Sequence, residues 1–469
     1  MIPLKLQEIV GIIGAQRRPV RDFTVTSVSI DSRTLERGDL FFAVRGDRFD
    51  GHDFVTEALD RGACAAVVEA GKPIRTKNPV SPYGLRVNDA IGALGRLAHH
   101  CRTLSPAVFI AVTGSNGKTT VKDMTHHILA ETMDAVKSPK SYNNFIGVPL
   151  SLLGVTPQTR AAVVELGTNA PGEIAYLSEM VLPHIGVITN IGLTHLAGLK
   201  DINGVAEEKS QLLRSLSGDG LAVLNADDRW FESLAETAPC PHISYGLEGE
   251  AAFTADEICQ NGDTTTFYLN GLERITLGCP GRHNVSNALA AIAVAQRMGV
   301  GVESIRRALE TFSLPPMRLE REEVAAVTLI NDAYNANPHS VGAAISVLDG
   351  APCAGKKILV IGEMAELGAQ SREIHRSIGK AALASGLDRL IAVGGDARYI
   401  YEAARAGGKK LHAQYCENID KALDVLLEAA REGDIVLFKA SREAQLERLI
   451  AAIRDRLASR VADALCPTV

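Results

Sequence analysis

The stretch Ala111-Val112-Thr113-Gly114-Ser115-Asn116-Gly117-Lys118-Thr119-Thr120 restricts this chain more than any other. An apolar run from Ala107 to Val112 has the look of a buried strand and flows straight into glycines. A helix should follow from about Thr119. Glycines let a backbone curl so that several N–H groups converge on phosphate oxygens. A helix N-terminus adds partial positive charge there, and Lys118 adds a full one. Thr119 offers a hydroxyl for Mg²⁺ beside the phosphates. The spacing departs from the common phosphate loop: Val112 stands where an earlier glycine would be, leaving Gly114-x-x-Gly117-Lys118-Thr119. A plain strand-to-helix turn with an incidental lysine is the competing explanation. The coincidence of strand, glycines, lysine and double threonine argues against it. Alone, the loop says nucleotide phosphate and leaves the reaction open.

With 469 residues the chain exceeds what one core organises, so two or three domains are expected. Residues 1–88 carry short apolar runs (Phe41 to Val44, Ala65 to Val68), a turn at Arg45-Gly46-Asp47, and a Pro-rich, polar passage from Lys72 to Pro82 that reads as a loop. Residues 89–314 open with a helix from Asp89, its cap, to Cys101. Strand-like runs Ala107 to Val112, Ala161 to Leu166 and Ile185 to Thr189 then alternate with helical stretches, the last an alanine-rich helix from Val285 to Met298. That alternation predicts a mostly parallel sheet covered by helices. After Pro315-Pro316, residues 315–469 repeat it. Strands Lys357 to Ile361, Leu390 to Val393 and Asp434 to Phe438 alternate with helices Ser371 to Leu383, Ala397 to Ala406 and Glu443 to Leu457. The fold class is α/β in three domains: an N-terminal α/β domain, a central parallel-sheet phosphate-loop domain, and a smaller Rossmann-like C-terminal one.

Bulk properties exclude several roles. Net charge is −6 with no basic block, so no field draws nucleic acid. No apolar run approaches the roughly 20 residues that cross a bilayer, and Met1 to Val10 lacks the pattern of a signal peptide. A cytoplasmic protein without membrane insertion is expected. The eight cysteines include no C-x-x-C pair and read as reduced packing residues.

Thr113-Gly114-Ser115-Asn116-Gly117-Lys118-Thr119-Thr120 resembles the phosphate loop of the Mur ligases and their folylpolyglutamate synthetase relatives. Further blocks follow in the family's order: Glu165-Leu166-Gly167, Thr189-Asn190-Ile191-Gly192 with His195, Glu208-Lys209, Gly281 to Ala288, Arg318, and Asn331 to Pro338. Asp31-Ser32-Arg33, Gly38 to Phe41 and Asp50-Gly51-His52 look like the family's UDP-sugar domain. Tyr142 to Pro149, Tyr334 to Pro338 and Gly362 to Gly368, with His375 behind it, resemble the member that acts on a UDP-muramoyl-tripeptide. Departures are Thr168, where Met is common, Gln211, where an acid is frequent, and Ala440, where Gly is usual.

The resemblance implies an ATP-dependent amide ligase, a monomer, that joins UDP-N-acetylmuramoyl-tripeptide to D-alanyl-D-alanine through an acyl phosphate. Such a route asks for cations, positioning and a dry site rather than a nucleophilic side chain. Gly114, Ser115, Asn116, Gly117, Lys118, Thr119 and Thr120 would hold the nucleotide phosphates. Thr119 and Glu165 would ligate one Mg²⁺ and His195 a second, although imidazole is an unusual partner for that ion. Lys209 would carry an N-carbamoyl group and become an anionic metal ligand; by pattern alone it is an ordinary solvated helix lysine. Asn284 and Asn287, on one helix face, would meet adenine, Asp332 the ribose, and Arg318 the γ-phosphate. Ser32 and Arg33 would take the uridine diphosphate; Asn143, Asn144, Asn335, Asn337 and the Glu363 to Gly368 loop would serve the peptide substrates. Two alternatives stand beside this: a superfamily ligase adding a single amino acid, and a phosphate-loop switch that makes no covalent product.

Overall fold

The computed structural model describes residues 1–16, 22–46, 49–72, 84–407 and 411–465, with side chains to Ser459. Asp47, most of the passage between Lys72 and Pro82, and Cys466 lie outside the described residues.

Three α/β units follow one another. In the first, four short parallel strands pair in the order Val28–Ser29, Leu40–Phe42, Ala65–Glu69, Gly84–Val87, and Leu4–Lys5 pairs with Thr24–Val25. Leu40, Phe41 and Phe42 are fully buried, and burying such side chains stabilises by roughly 1.5–3 kcal/mol each. The helix Ala90–Leu104, capped by Asp89, which accepts from Ile91 N at 3.0 Å, packs on both Leu6–Ile13 and Gly147–Leu153. It thereby joins first unit to second.

The second unit is a nine-stranded sheet. Its strand Val108–Thr113 lies between Ala161–Glu165 on one side and Ile185–Ile188 on the other, all parallel. The chain leaves Val108–Thr113 toward one side first and returns to the other later, so the end of this strand is a topological switch point. There neighbouring loops part and a crevice opens beyond the strand ends. The helix Lys118–Ala130 leaves the phosphate loop and packs against Arg282–Arg297. Ala288, Ala290, Ala291, Ala293 and Ala295 of the latter are fully buried; their small size lets it pack closely within the unit. The alanine-rich helix expected from Val285 starts at Arg282, which puts Asn284 in its first turn. Strands Phe253–Asn261, Thr264–Leu269 and Glu273–Leu277 form an antiparallel extension that the sequence reading did not resolve.

The third unit is a six-stranded sheet in the order Glu320–Val324, Val327–Asn331, Ile435–Lys439, Lys357–Gly362, Arg389–Val393, His412–Cys416, parallel except for the first. The final helix begins at Glu447 rather than at Glu443, because Gln445 sits at φ 50° and breaks the regular backbone after a short turn. One cluster of buried apolar side chains runs from Leu6 through Leu94 and Val148 to Val341 and Ile361, so the three units share a core. The seven described cysteines are free thiols. No helix among the described residues is long and apolar enough to cross a membrane.

Candidate active site

The phosphate loop sits at the switch point. Gly114 and Gly117 hold φ of 146° and 80°, and a Cβ on either would overlap Thr189 Oγ1 or Asn287 Oδ1. Only glycine meets both demands. Ser115 N donates to the Asn190 carbonyl at 2.9 Å, and Asn116 N to Asn190 Oδ1 at 3.0 Å. The block Thr189-Asn190 therefore shapes the loop from the neighbouring strand. Lys118 folds back, its Nζ donating to the Gly114 carbonyl at 2.9 Å. Burial lowers its pKa, opposed by Glu165 and aided by Arg318.

A cavity of about 1440 Å³ opens over this loop. Ser115 to Thr120, Glu165 and His195 line it, together with Asn143, Asn144, Asn284, Asn287, Arg318, Asp332, Asn335 and Asn337. Three strand ends thus converge on one cleft. Ser32, Arg33 and Lys209 are outside that lining.

Glu165, expected at a strand end, is buried at 1 % exposure rather than solvated. Asn143 Nδ2 donates to its Oε1 at 2.8 Å, while Oε2 has no hydrogen-bond partner. Lys122 Nζ stands 3.9 Å from that oxygen but donates instead to the carbonyls of Ser138 at 3.0 Å and Lys140 at 2.6 Å. Thr119 Oγ1 faces the same space and accepts from Arg318 Nη2 at 3.1 Å.

Lys209 overturns its pattern-only reading as a solvated lysine: it is buried at 1 % exposure on the helix Ile202–Arg214. Its neighbour Glu208 is engaged elsewhere, accepting from Ile174 N and Gly172 N, both at 2.7 Å, and from Thr168 Oγ1 at 3.2 Å. Thr168, a departure from the common Met, thus helps to hold Glu208. Among the described residues Lys209 Nζ has no hydrogen-bond or ion-pair partner. Burial first, and the charge of Lys118 second, hold its pKa well below the usual 10.5.

His195 begins the short helix Leu196–Leu199 with φ 55°. Its Nδ1 lies 2.5 Å from Glu366 Oε2 of the third unit, and that contact holds the Glu366 carboxyl below its usual pKa.

The third unit reaches this crevice at several points. Arg318 stacks over Tyr334, 4.5 Å from the ring centre. Asp332 pairs with buried Lys439 at 2.6 Å, and Lys439 also donates to the Asn335 carbonyl at 3.0 Å. Asn337 caps the helix Pro338–Gly350 and donates to Asn116 Oδ1 at 2.6 Å, so its amide ties the units together. Asn287 donates to Asn284 Oδ1 at 3.1 Å, and Asn284 to the Pro280 carbonyl at 2.7 Å. Asn144 accepts from Gly147 N at 2.9 Å, and Asn335 is exposed. Ala440 packs against Gly362, whose missing side chain leaves room for its Cβ.

In the first unit Ser32 is buried while the Arg33 side chain is 80 % exposed, paired at 2.7 Å with Asp31. Asp39 and His52 act inside the fold: Asp39 accepts from Ser27 and Glu36, and His52 Nε2 accepts from Glu69 N at 3.0 Å.

Sequence reasoning gave no individual role to Lys122, Lys439, Glu366 or His283, although His283 and Glu366 lie inside the Gly281 to Ala288 and Gly362 to Gly368 blocks. Burial marks Lys122 and Lys439, whereas Glu366 is exposed and is marked by its contact with His195. For His283 burial is the main cause of a pKa lowered to about 4.

Comparison with known proteins agrees along the whole chain. Residues 24–102 match the Mur ligase family catalytic domain, 112–295 the Mur ligase middle domain, and 317–442 the Mur ligase glutamate ligase domain. The UDP-N-acetylmuramoyl-tripeptide--D-alanyl-D-alanine ligases of Bacillus subtilis and Escherichia coli are each 35 % identical, covering 96 % and 97 % of this chain and 98 % and 99 % of theirs. A crystal structure of MurF from Acinetobacter baumannii superposes with a TM-score of 0.85 at 33 % identity, over 97 % of this chain and 99 % of that one. MurF from Thermotoga maritima in complex with ADP gives 0.80 at 27 %, over 93 % and 99 %.

Proposed function

The chain belongs to the Mur ligase family, and from that premise we propose that it joins D-alanyl-D-alanine to UDP-N-acetylmuramoyl-tripeptide, driven by ATP, in peptidoglycan precursor synthesis. The observation that carries this reading is the meeting of Lys118, Glu165 and His195 in one cleft at the switch point of the central sheet, in a chain similar end to end to ligases of that activity.

The chemistry follows from what a carboxylate lacks. Its negative charge repels an amine, so the peptide carboxylate first takes the γ-phosphoryl group of ATP, forming an acyl phosphate. The amine of the dipeptide then attacks the acyl carbon, and the tetrahedral adduct releases phosphate and leaves an amide. Loop amides and Lys118 would hold the phosphates, and Arg318, drawn onto Thr119 from the third unit, would meet the charge that develops on the γ-phosphoryl oxygens. Asp332 and Lys439 would receive the ribose edge, and Asn335 with the Glu363 to Gly368 loop the dipeptide. Ser32 and Arg33 would bind the uridine diphosphate from the first unit, Arg33 as a fork suited to phosphate.

The residues fit Mg²⁺. A buried carboxylate oxygen without a hydrogen bond is costly; Glu165 Oε2 is such an atom, its nearest cation being Lys122 at 3.9 Å, and Thr119 lines the same cavity. When bound, the ion would neutralise phosphate charge as transfer proceeds. No group of three His, Cys, Asp or Glu side chains suited to a metal occurs among the described residues. A cation site at His195 would need a further anionic donor. On the family reading Lys209 would provide it: burial lowers its pKa, and its deprotonated amine would add to CO₂, releasing a proton and leaving an anionic carbamate.

A substrate panel with product mass tests the reading. Phosphate release should require ATP, the tripeptide nucleotide and D-alanyl-D-alanine together, with a product of the combined mass less water. Turnover with a single amino acid in place of the dipeptide would reverse the assignment.

A further inference from the structure

Glu366 reaches from the third unit to the second with two separate atoms. Its carboxylate meets His195 Nδ1 at 2.5 Å, and its backbone carbonyl accepts from Ala197 N at 3.2 Å. Both contacts grip the same short turn, one at the His195 ring and one at the backbone of Ala197. Both partners hold a left-handed backbone, φ 55° at His195 and 62° at Glu366, which side-chain-bearing residues keep only where their surroundings over-determine it.

The loop that presents Glu366 belongs firmly to the third unit. Met364 N donates to Nε2 of the fully buried His375 at 3.0 Å, and His375 Nδ1 donates to the Ser371 carbonyl at 2.7 Å. Glu363 accepts from Ser441 N through its carbonyl at 3.0 Å and from Asp396 N through its side chain at 3.2 Å. Glu366 therefore moves with the third unit, and its contact with His195 exists only while that unit is docked.

A carboxylate against one imidazole nitrogen fixes the proton there and leaves the lone pair on the other. His195 Nε2 has no hydrogen-bond partner among the described residues, and His195 lines the cleft. We propose that Glu366 is a positioning residue: it aims His195 Nε2 into the cleft and thereby ties cation binding at His195 to docking of the third unit, which carries the candidate dipeptide loop. This rests on the reading of His195 as a metal ligand. Coupling of this kind is reciprocal. A cation at His195 favours the docked arrangement, and docking strengthens the hold on the cation.

The test uses the full chain with Mn²⁺ and adenylyl imidodiphosphate. It counts bound Mn²⁺ by electron paramagnetic resonance and follows compaction by small-angle X-ray scattering. The wild type should bind two ions and compact as the weaker site fills. Glu366→Ala should weaken that site by about 10- to 100-fold and abolish the metal-dependent compaction. Tm should stay unchanged, since the side chain is 46 % exposed. In turnover kcat should fall. Glu366→Gln, which still accepts the Nδ1 proton without the charge, should fall between. Wild-type affinity at both ions and wild-type compaction in Glu366→Ala would overturn the proposal. His195→Ala separates the two readings. If it loses one ion while Glu366→Ala loses nothing, only the role of Glu366 is wrong. If it keeps both ions, the ligand reading fails and takes this inference with it.

Discussion

Around the central phosphate loop, Glu165, Lys122 and Lys209 are each at most 1 % exposed, whereas in the first unit Arg33 stands 80 % exposed with only its neighbour Asp31 for company. Both places are candidates for binding phosphates, and they are built in opposite ways. A buried charge has already lost its water and leaves little to reorganise when a counter-charge arrives. An exposed arginine must be drawn out of solvent and off Asp31 each time. On the proposed reading the centre would serve catalysis, where charges must stand ready, and the front would hold one end of a long substrate.

The contrast can be broken most directly at Lys118. Lys118→Ala should lower kcat by on the order of 10²–10³-fold and weaken ATP binding in calorimetry. Near-wild-type turnover would remove the central site from the reaction. Next is the buried pair between Lys439, 4 % exposed, and Asp332, 14 % exposed. Lys439→Met leaves Asp332 without its cation, a loss of about 3 kcal/mol for a buried pair, read as a lower denaturation midpoint at unchanged m. A smaller effect is expected from Lys209. Its native pKa is depressed, so between that value and 10.5 the unfolded chain binds the extra proton and stability rises with pH. In CO₂-free buffer Tm should climb through this window for the wild type, and less for Lys209→Met. A parallel pair of profiles would mean the amine is hydrated after all. The smallest effect on the fold belongs to Arg33→Ala: Tm unchanged, KM for the UDP-linked substrate raised, kcat retained. A fall in kcat with KM constant would show that the front takes part in the chemistry.

Much of the architecture was legible. The strand Val108–Thr113, the capped helix from Asp89 and the alternation through residues 357–438 follow from local patterns, because apolar runs, caps and glycines act over a few residues. The antiparallel extension after Phe253 was not legible, since its alternation is interrupted by the bulge between Asp256 and Cys259. At the site, Lys118 and Thr119 announced themselves by their loop. Asn143 did not show its part: expected to meet substrate, it spends its amide on Glu165, a residue far off in sequence.

The sequence alone therefore determined the glycine loop between strand and helix, since glycine φ freedom, a strand end and a helix start are properties of adjoining residues. It also determined the family, through blocks in a set order. Only the tertiary structure decided which charges count. Burial lowered the pKa of Lys209 and left Glu165 Oε2 without a hydrogen bond, and the docking of the third unit set Glu366 on His195. Those depend on what distant segments bring to the same spot, and solvation is a property of the whole surrounding volume rather than of the residue.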